Sequence, residues 1–148
     1  MNISVLLILI FFLASCSVKN PKPPVAKTAE ECQSYEPQKV QLEGLLYRKS
    51  FPGPPNYTDI NKGDEEEIYW LIKTTKPFCV NKSSYVDGDE LHGLLEVQLV
   101  MSSKLDFYKT KRSLLNKKIK VQGTLFPQYT GHHKTEVLLT VESLEKPD

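Results

Sequence analysis

The segment Tyr129–Thr135 concentrates side chains that can bind a ligand or transfer a proton. It carries His132, His133 and Lys134 directly after Gly131. An imidazole can donate or accept a hydrogen bond, whereas an ammonium group only donates. Adjacent residues of an extended chain point to opposite sides, so the two histidines do not favour one shared metal ion. We therefore predict hydrogen bonding to a ligand at this segment, with no metal centre and no cofactor.

A second unusual segment, Phe51–Tyr57, is rich in proline and cannot be helical. A stiff backbone would let Phe51 and Tyr57 present their rings with little entropy to lose on binding. The alternative is that this segment only packs over the domain. In the strand-like stretch that follows, we expect Trp70 in the core and Tyr69 on the exposed face. The candidate ligand-binding residues are Phe51, Asn56, Tyr57, Tyr69, Tyr129, His132, His133 and Lys134.

A catalytic alternative uses the same histidines. His132 or His133 would act as a general base together with Asp64 or Glu66. The sequence contains neither a G-x-S-x-G nor an H-E-x-x-H motif. It therefore favours a non-catalytic binding module over a histidine-dependent hydrolase, and we assign no catalytic residue.

Alternation of apolar and polar residues predicts five strands that position these segments. Gly44 and Gly123 interrupt apolar rows, which indicates a sharp bend or a close approach of a neighbouring backbone. The predicted inward rows are Val40-Leu42-Gly44-Leu46, Ile68-Trp70-Ile72, Leu95-Val97-Leu99-Met101, Ile119-Val121-Gly123-Leu125 and Val137-Leu139-Val141.

A short helix is predicted between the third and fourth strands, with Ser102 or Ser103 as its N-cap and its end near Asn116. Three strands, a helix and two strands is the order of the OB-fold, a five-stranded, partly open barrel. The expected fold class is therefore all-β with one short helix, an OB-fold-like five-stranded barrel. Its ligand usually lies across the second and third strands, flanked by the loops after the first and fourth strands. Those loops are predicted to contain Phe51–Tyr57 and Tyr129–Thr135.

The chain is nearly neutral, with 19 basic and 18 acidic side chains. The acidic run Asp64–Glu67 and the basic stretch from Lys104 to Lys120 are predicted to be solvated surface. OB-folds often bind oligosaccharides or single-stranded nucleic acid, the latter with aromatic platforms in a basic groove. Here the basic residues cluster on the predicted helix and the strand after it, away from the aromatic loops. Nucleic acid is therefore the less favoured partner.

Two of the cysteines, Cys32 and Cys79, most simply form one disulfide in an exported chain. Two free thiols or a metal pair are the alternatives. The metal pair is disfavoured because no His or Asp stands at ligand spacing around either cysteine. A disulfide that closes so long a loop would stabilise the fold by roughly 4 kcal/mol on the chain-entropy model.

Residues 1–15 have the character of an export signal. The apolar run from Ile3 to Ala14 is too short to span a bilayer, although the usual Lys or Arg before it is missing. The run ends in Leu13-Ala14-Ser15-Cys16, which resembles the lipobox of bacterial lipoproteins. This resemblance implies cleavage before Cys16, a diacylglyceryl group on its thiol and a further acyl chain, such as palmitate, on the new N-terminus. Two or more chains give stable anchoring. The alternative is a secreted protein in which Cys16 is incidental.

The expected location is the cell envelope, with the domain facing the periplasm. Ser17 stands where Asp would retain a lipoprotein in the inner membrane, which favours the outer membrane. Residues 16–34, rich in Pro and Lys, are predicted to be a tether, and residues 35–148 the folded domain. The membrane would be contacted through the lipid on Cys16.

The predicted domain contains Tyr35-Glu36-Pro37, Phe51–Tyr57, Gly63-Asp64, Pro77–Val80, Gly123–Phe126 and Thr130–Thr135. Together these segments resemble a family of uncharacterised bacterial secreted domains, known only as a domain of unknown function. The resemblance implies an exported domain and supplies no activity. The expected partner is therefore an envelope protein or a glycan.

Overall fold

The computed structural model describes residues 31–101 and 106–147. The predicted export signal, Cys16 and the predicted tether up to residue 30 lie outside the described residues. Within them the chain forms five strands, one short helix and two 3₁₀ turns. The strands are β1 (Lys39–Pro52), β2 (Glu66–Val80), β3 (Leu91–Met101), β4 (Lys118–Pro127) and β5 (Val137–Glu145), the helix is α1 (Phe107–Thr110), and the 3₁₀ turns are Ile60–Lys62 and Arg112–Leu114.

The strands form one sheet that closes in a ring in the order β1-β2-β3-β5-β4. β1 pairs antiparallel with both β2 and β4, and β4 pairs antiparallel with β5. The ring is completed by a parallel pairing of β3 with β5. This confirms the predicted OB-fold-like, all-β class with one short helix.

The predicted apolar rows line the inside of this ring, with two exceptions. The rows of β1, β4 and β5 are buried as predicted, and Trp70 is only 5% exposed. Ile68 was predicted to face inward, but it is 51% exposed. β1 pairs with β4 only over Lys39–Leu45, so the later part of β1 pairs with β2 alone. Ile68 lies in this projecting β1–β2 ribbon, where the inner face meets solvent.

The second exception is Leu95, which is exposed while the neighbouring Leu94 is buried. The pairing of β2 with β3 shifts register between Lys73 and Phe78. Because side chains alternate along a strand, such a shift exchanges the two faces. The alternation seen in the sequence of β3 therefore holds only from Val97 onward.

The two glycines in the apolar rows mark close backbone approaches, as predicted. A Cβ atom on Gly44 would collide with the carbonyl oxygen of Lys73, and one on Gly123 with that of Thr140. Any larger residue at either position would push neighbouring strands apart. These glycines allow so small a ring to close.

The helix is shorter than predicted. It spans Phe107–Thr110 and is followed by the turn Arg112–Leu114. The residue before the helix, Asp106, has a left-handed backbone conformation. The predicted N-caps Ser102 and Ser103 lie outside the described residues. Phe107 and Leu114 are buried against the ring, so this connection closes part of the core.

The start of the described chain is tied to the end of β2. Cys32 and Cys79 form a disulfide, as predicted. Gln33 forms a parallel bridge with Val80, and the buried Tyr35 forms another with Leu125. In the part of the chain that the structure describes, no helix is long and apolar enough to cross a membrane.

Candidate functional site

Two loops meet over the outer face of β2 and β3. They are the β1–β2 loop, residues 53–65, and the β4–β5 loop, residues 128–136. The sequence could not show that these loops converge. In the structure they touch through a compact group of five side chains, which we call the loop junction. Its members are Tyr57, Glu67, Tyr69, His132 and Lys134.

The β1–β2 loop is folded around the carboxylate of Asp64. This side chain accepts hydrogen bonds from the backbone N–H groups of Asn56, Thr58 and Asp59, at 2.7–2.9 Å. The side chains of Asn56 and Thr58 donate to it as well. The backbone donors of Asp59 and Thr58 hold the pKa of the Asp64 carboxyl well below its usual range. Asp64 was predicted to be solvated, but it is only 5% exposed and fixes the loop.

Tyr57 is directed at the other loop by an unusual backbone conformation. Its φ of 58° lies in the left-handed region, which is uncommon for a residue with a side chain. Its N–H donates to the carbonyl of Gly53 at 2.9 Å, which holds this geometry. The ring lies directly against Gly131, where a Cβ would come within 3.3 Å of ring carbons. Gly131 therefore lets the two loops approach closely.

The β4–β5 loop is fastened by Gln98 of β3, a buried residue that is only 3% exposed. The Gln98 amide donates to the carbonyl of His132 at 3.1 Å and accepts from the N–H of Lys134 at 2.6 Å. The backbone N–H of Gln98 donates to the hydroxyl of Thr135 at 2.9 Å. One side chain beneath the loop thus sets the path of its central residues.

The imidazole of His132 is the centre of the loop junction. Its Nδ1 lies 2.7 Å from Glu67 Oε1 and 3.4 Å from the hydroxyl of Tyr69. Its Nε2 lies 3.3 Å from the hydroxyl of Tyr57. An ionised carboxylate only accepts, so Nδ1 carries the hydrogen that Glu67 accepts. Nε2 is the ring nitrogen within reach of the Tyr57 hydroxyl. The side chain of His132 is half exposed, so its ring can also meet a ligand.

Lys134 places a buried positive charge below this imidazole. Its side chain is only 8% exposed, and its Nζ donates to the carbonyls of Pro52 and Gly131 at 2.9 and 2.6 Å. The same ammonium lies 3.4 Å from Glu67 Oε2 and 4.8 Å from the centre of the Tyr57 ring. Lys134 therefore joins the end of β1 to the β4–β5 loop.

Glu67 balances this charge. Burial alone would raise the pKa of Glu67, but hydrogen bonds from Tyr69 and His132 outweigh that effect and lower it. Among the described residues, Glu67 Oε2 accepts no hydrogen bond of good geometry. Burial, followed by the hydrogen bond to Glu67, raises the pKa of Tyr69 to about 12, so its phenol keeps its proton.

The other predicted candidates lie around the junction and serve mainly the fold. Phe51 packs against Tyr69, with ring centres 6.2 Å apart. Asn56 fastens its own loop through Asp64, as described above. Tyr129 and His133 pack against Phe126, and His133 Nδ1 accepts the N–H of Tyr129 at 2.9 Å. Burial lowers the pKa of His133, which favours the neutral ring that this contact needs.

The carboxylate beside His132 differs from the one predicted. The catalytic alternative paired a histidine with Asp64 or Glu66, whereas the residue in contact is Glu67. Glu66 is exposed on the other face of the strand. Side chains of a strand alternate, and only the register of β2 decides which glutamate of the run faces the junction.

An open cleft of about 440 Å³ adjoins the loop junction. β3 pairs with β5 only from Gln98 onward, so the first half of β3 pairs with β2 alone. The cleft lies where this seam is open, and both charged and apolar side chains line it. Its lining residues are Lys73, Gly93, Leu94, Leu95, Glu96, Gln128, Lys134, Thr135 and Glu136.

In a comparison with known protein families, residues 96–145 match a domain of unknown function (DUF4431). The matched part runs from the middle of β3 to the end of β5, and it includes Gln98, His132 and Lys134. It does not include Tyr57, Glu67 or Tyr69. A search of curated proteins finds no match.

Proposed function

We propose that this chain is an envelope-anchored, non-catalytic binding module that uses the loop junction and the adjoining cleft. The observation that carries the proposal is the convergence of both loops on His132, with Tyr57, Tyr69 and Glu67 around one imidazole. Ligands of OB-folds usually lie at the corresponding place. The anchor in this proposal is the lipid on Cys16, and the favoured location is the periplasmic side of the outer membrane.

The junction is organised before any ligand arrives. Asp64 fixes the path of one loop and Gln98 the path of the other. A site that is already ordered loses little conformational entropy on binding, which favours affinity. Partly exposed Tyr and His side chains add amphipathic surface and hydrogen-bonding groups. This combination suits a protein surface or a glycan.

The basic stretch contributes little to this site. Its described members lie on or after α1 and at the start of β4, whereas the junction pairs its one buried ammonium with Glu67. A polyanion would find no run of free positive charge at the two loops. The geometry therefore favours a protein or glycan partner over nucleic acid.

The proposal is tested by crosslinking in living cells. A photoreactive residue is placed at position 57 or 132 of the full chain, and adducts are identified by mass spectrometry. We expect the same protein or glycan at both positions. Position 43, an exposed residue in the middle of β1 that pairs with Lys120 of β4, is the control and should not yield that adduct. Absence of an adduct at 57 and 132, or the same adduct at 43, would contradict the proposal.

The contact between Glu67 and His132 favours one alternative, a histidine-dependent hydrolase. A carboxylate at Nδ1 orients an imidazole so that Nε2 can accept a proton from water or a substrate hydroxyl. Screening of the purified protein against ester, amide and glycoside substrates tests this function. Any activity found should be lost in His132→Gln and strongly reduced in Glu67→Gln, while His92→Gln should retain it.

A further inference from the structure

A second cluster of chemically active side chains lies at the far end of β2 from the loop junction. It consists of the disulfide between Cys32 and Cys79 and the imidazole of His92 at the start of β3. The two sulfur atoms and one ring nitrogen of His92 all lie within 4.8 Å of one another. His92 is thirteen residues from Cys79 in the sequence, so ligand spacing along the chain gave no sign of it.

The pairing of β2 with β3 explains why His92 reaches the cysteines. Val80 pairs with Leu91 and Phe78 with Leu94, with a register shift between them. Cys79 therefore lies opposite His92 and Gly93 in this irregular part of the ladder. The His92 side chain is 65% exposed, and Glu90 Oε1 lies 2.7 Å from its Nε2. This carboxylate adds negative charge next to the ring.

The two cysteine backbones are held together by contacts other than the disulfide. Gln33 N–H donates to the carbonyl of Cys79 at 2.8 Å, and Asn81 N–H donates to the carbonyl of Gln33 at 2.9 Å. The side chain of Asn81 donates to the carbonyl of Cys32 at 3.3 Å. Opening the sulfur–sulfur bond would therefore leave the two thiols as neighbours.

We propose that reduction of the Cys32–Cys79 disulfide creates a Cys₂His site for a thiophilic cation such as Zn²⁺. A dithiol reductant supplies two electrons and two protons to the disulfide, and its own sulfurs form a disulfide in return. The cation then binds both thiolates and the neutral imidazole of His92, and it displaces the two thiol protons. Water takes the fourth position, which the exposure of His92 leaves open to solvent.

The required movements are small. In a tetrahedral zinc site the ligand atoms lie 2.0–2.3 Å from the metal, so neighbouring ligands are about 3.5 Å apart. The sulfur atoms would separate from bonding distance, and the histidine nitrogen would approach them by about 1 Å. An exposed side chain on a strand end can make such a shift by changing its rotamer.

The test measures binding of Co²⁺, a spectroscopic substitute for Zn²⁺, by the purified chain with Cys16→Ser to remove the third thiol. The reduced protein, freed of reductant without air, should bind one Co²⁺ with a thiolate charge-transfer band that Zn²⁺ abolishes. The oxidised protein should show no such band. His92→Ala should weaken binding by about tenfold or more.

His132→Ala, which removes a partly exposed imidazole elsewhere, is the matched control and should bind as tightly as the parent. Because His92 is exposed, His92→Ala should fold with its disulfide intact, and the circular dichroism of the reduced forms provides the check on folding. Equal Co²⁺ affinity of the reduced parent and reduced His92→Ala would overturn the proposal. So would the absence of a charge-transfer band in a reduced parent that remains folded.

Discussion

The two loops that form the junction are held in different ways. The β1–β2 loop carries its own anchor, since Asp64 lies within the loop and binds donors five to eight residues before it. The β4–β5 loop depends on Gln98, which lies more than thirty residues earlier in the chain and beneath the loop. The first loop should therefore keep much of its shape through local contacts, whereas the second needs the sheet under it.

The difference has a consequence for how each loop responds to change. A loop with an internal anchor resists disturbance of its surroundings but loses its shape when that anchor is removed. A loop with a remote anchor transmits changes in the sheet directly to its functional side chains. Substitutions at Asp64 and Gln98 separate these two behaviours, and those at the junction measure how strongly the loops depend on each other.

The largest effect is expected for Asp64→Ala, which leaves the N–H groups of Asn56, Thr58 and Asp59 without their acceptor. We expect a fall in melting temperature of about 10 °C. Faster hydrogen exchange should be confined mainly to residues 53–65. Glu65→Ala, an exposed neighbour, is the matched control and should change little. Equal loss of protection in both loops would show that the β1–β2 loop is not self-contained.

The contribution of Asp64 should depend on pH. Its folded-state pKa is lowered, so the stabilisation is present above the unfolded value of about 3.9 and is lost as the pH falls below it toward the folded-state pKa. We expect the difference in free energy of unfolding between the parent and Asp64→Asn to shrink as the pH falls below about 4. Urea titrations at a series of pH values measure it. A difference that stays constant down to pH 2 would contradict this assignment.

Gln98→Met is expected to have the next largest effect. The apolar side chain preserves the volume but leaves the carbonyl of His132 and the N–H of Lys134 unpaired. Leaving such groups unsatisfied should cost about 2 kcal/mol of unfolding free energy. Hydrogen exchange should rise in residues 128–136 and stay near the parent value around Asp64. The opposite pattern would reverse our comparison of the loops.

Glu67→Gln should have a smaller effect because its side chain is partly exposed. The substitution removes the negative charge beside Lys134, whose ammonium is nearly buried. We expect a loss of about 1 kcal/mol, and Glu67→Gln with Lys134→Met should recover part of it. Denaturant unfolding of the single and double variants measures the recovery. A double variant as unstable as the sum of the singles would show that the two charges do not interact.

The smallest expected effect is the coupling between the loops. A double-mutant cycle of Tyr57→Phe and His132→Ala removes the contact between the Tyr57 hydroxyl and His132 Nε2. Because this contact is long and partly exposed, we expect an interaction energy of about 0.5 kcal/mol. A value above about 2 kcal/mol would mean that the loops fold as one unit.

The sequence predicted the features that arise from neighbouring residues, but it did not predict those that depend on contacts between distant parts of the chain. Alternation identified the strands, and the OB-fold order followed from their sequence. The prediction that Ile68 and Leu95 face inward was wrong. Ile68 lies in the β1–β2 ribbon, which projects beyond the ring, and Leu95 lies where the β2–β3 register shifts. Neither a projecting ribbon nor a register shift leaves a mark in local periodicity.

The candidate site shows the same pattern. Tyr57, His132 and Lys134 were identified from residue type and loop position, and Tyr69 from alternation along its strand. Glu67 and Gln98 were missed, since one was part of an acidic run and the other one polar residue in an apolar strand. Sequence features that would have pointed to them are weak. A buried amide in a strand indicates a remote partner only once the fold is known.

The disulfide and the loop junction lie near opposite ends of β2, so the domain has two functionally different ends. From Glu67 to Cys79, a straight strand rising about 3.3 Å per residue would span about 40 Å, an upper limit for a curved one. If Cys16 carries the lipid, the membrane anchor connects to the domain at the Cys32 end of this strand. The far end would then face away from the bilayer. β2 would serve as a spacer that sets how far from its own membrane the protein can meet a partner.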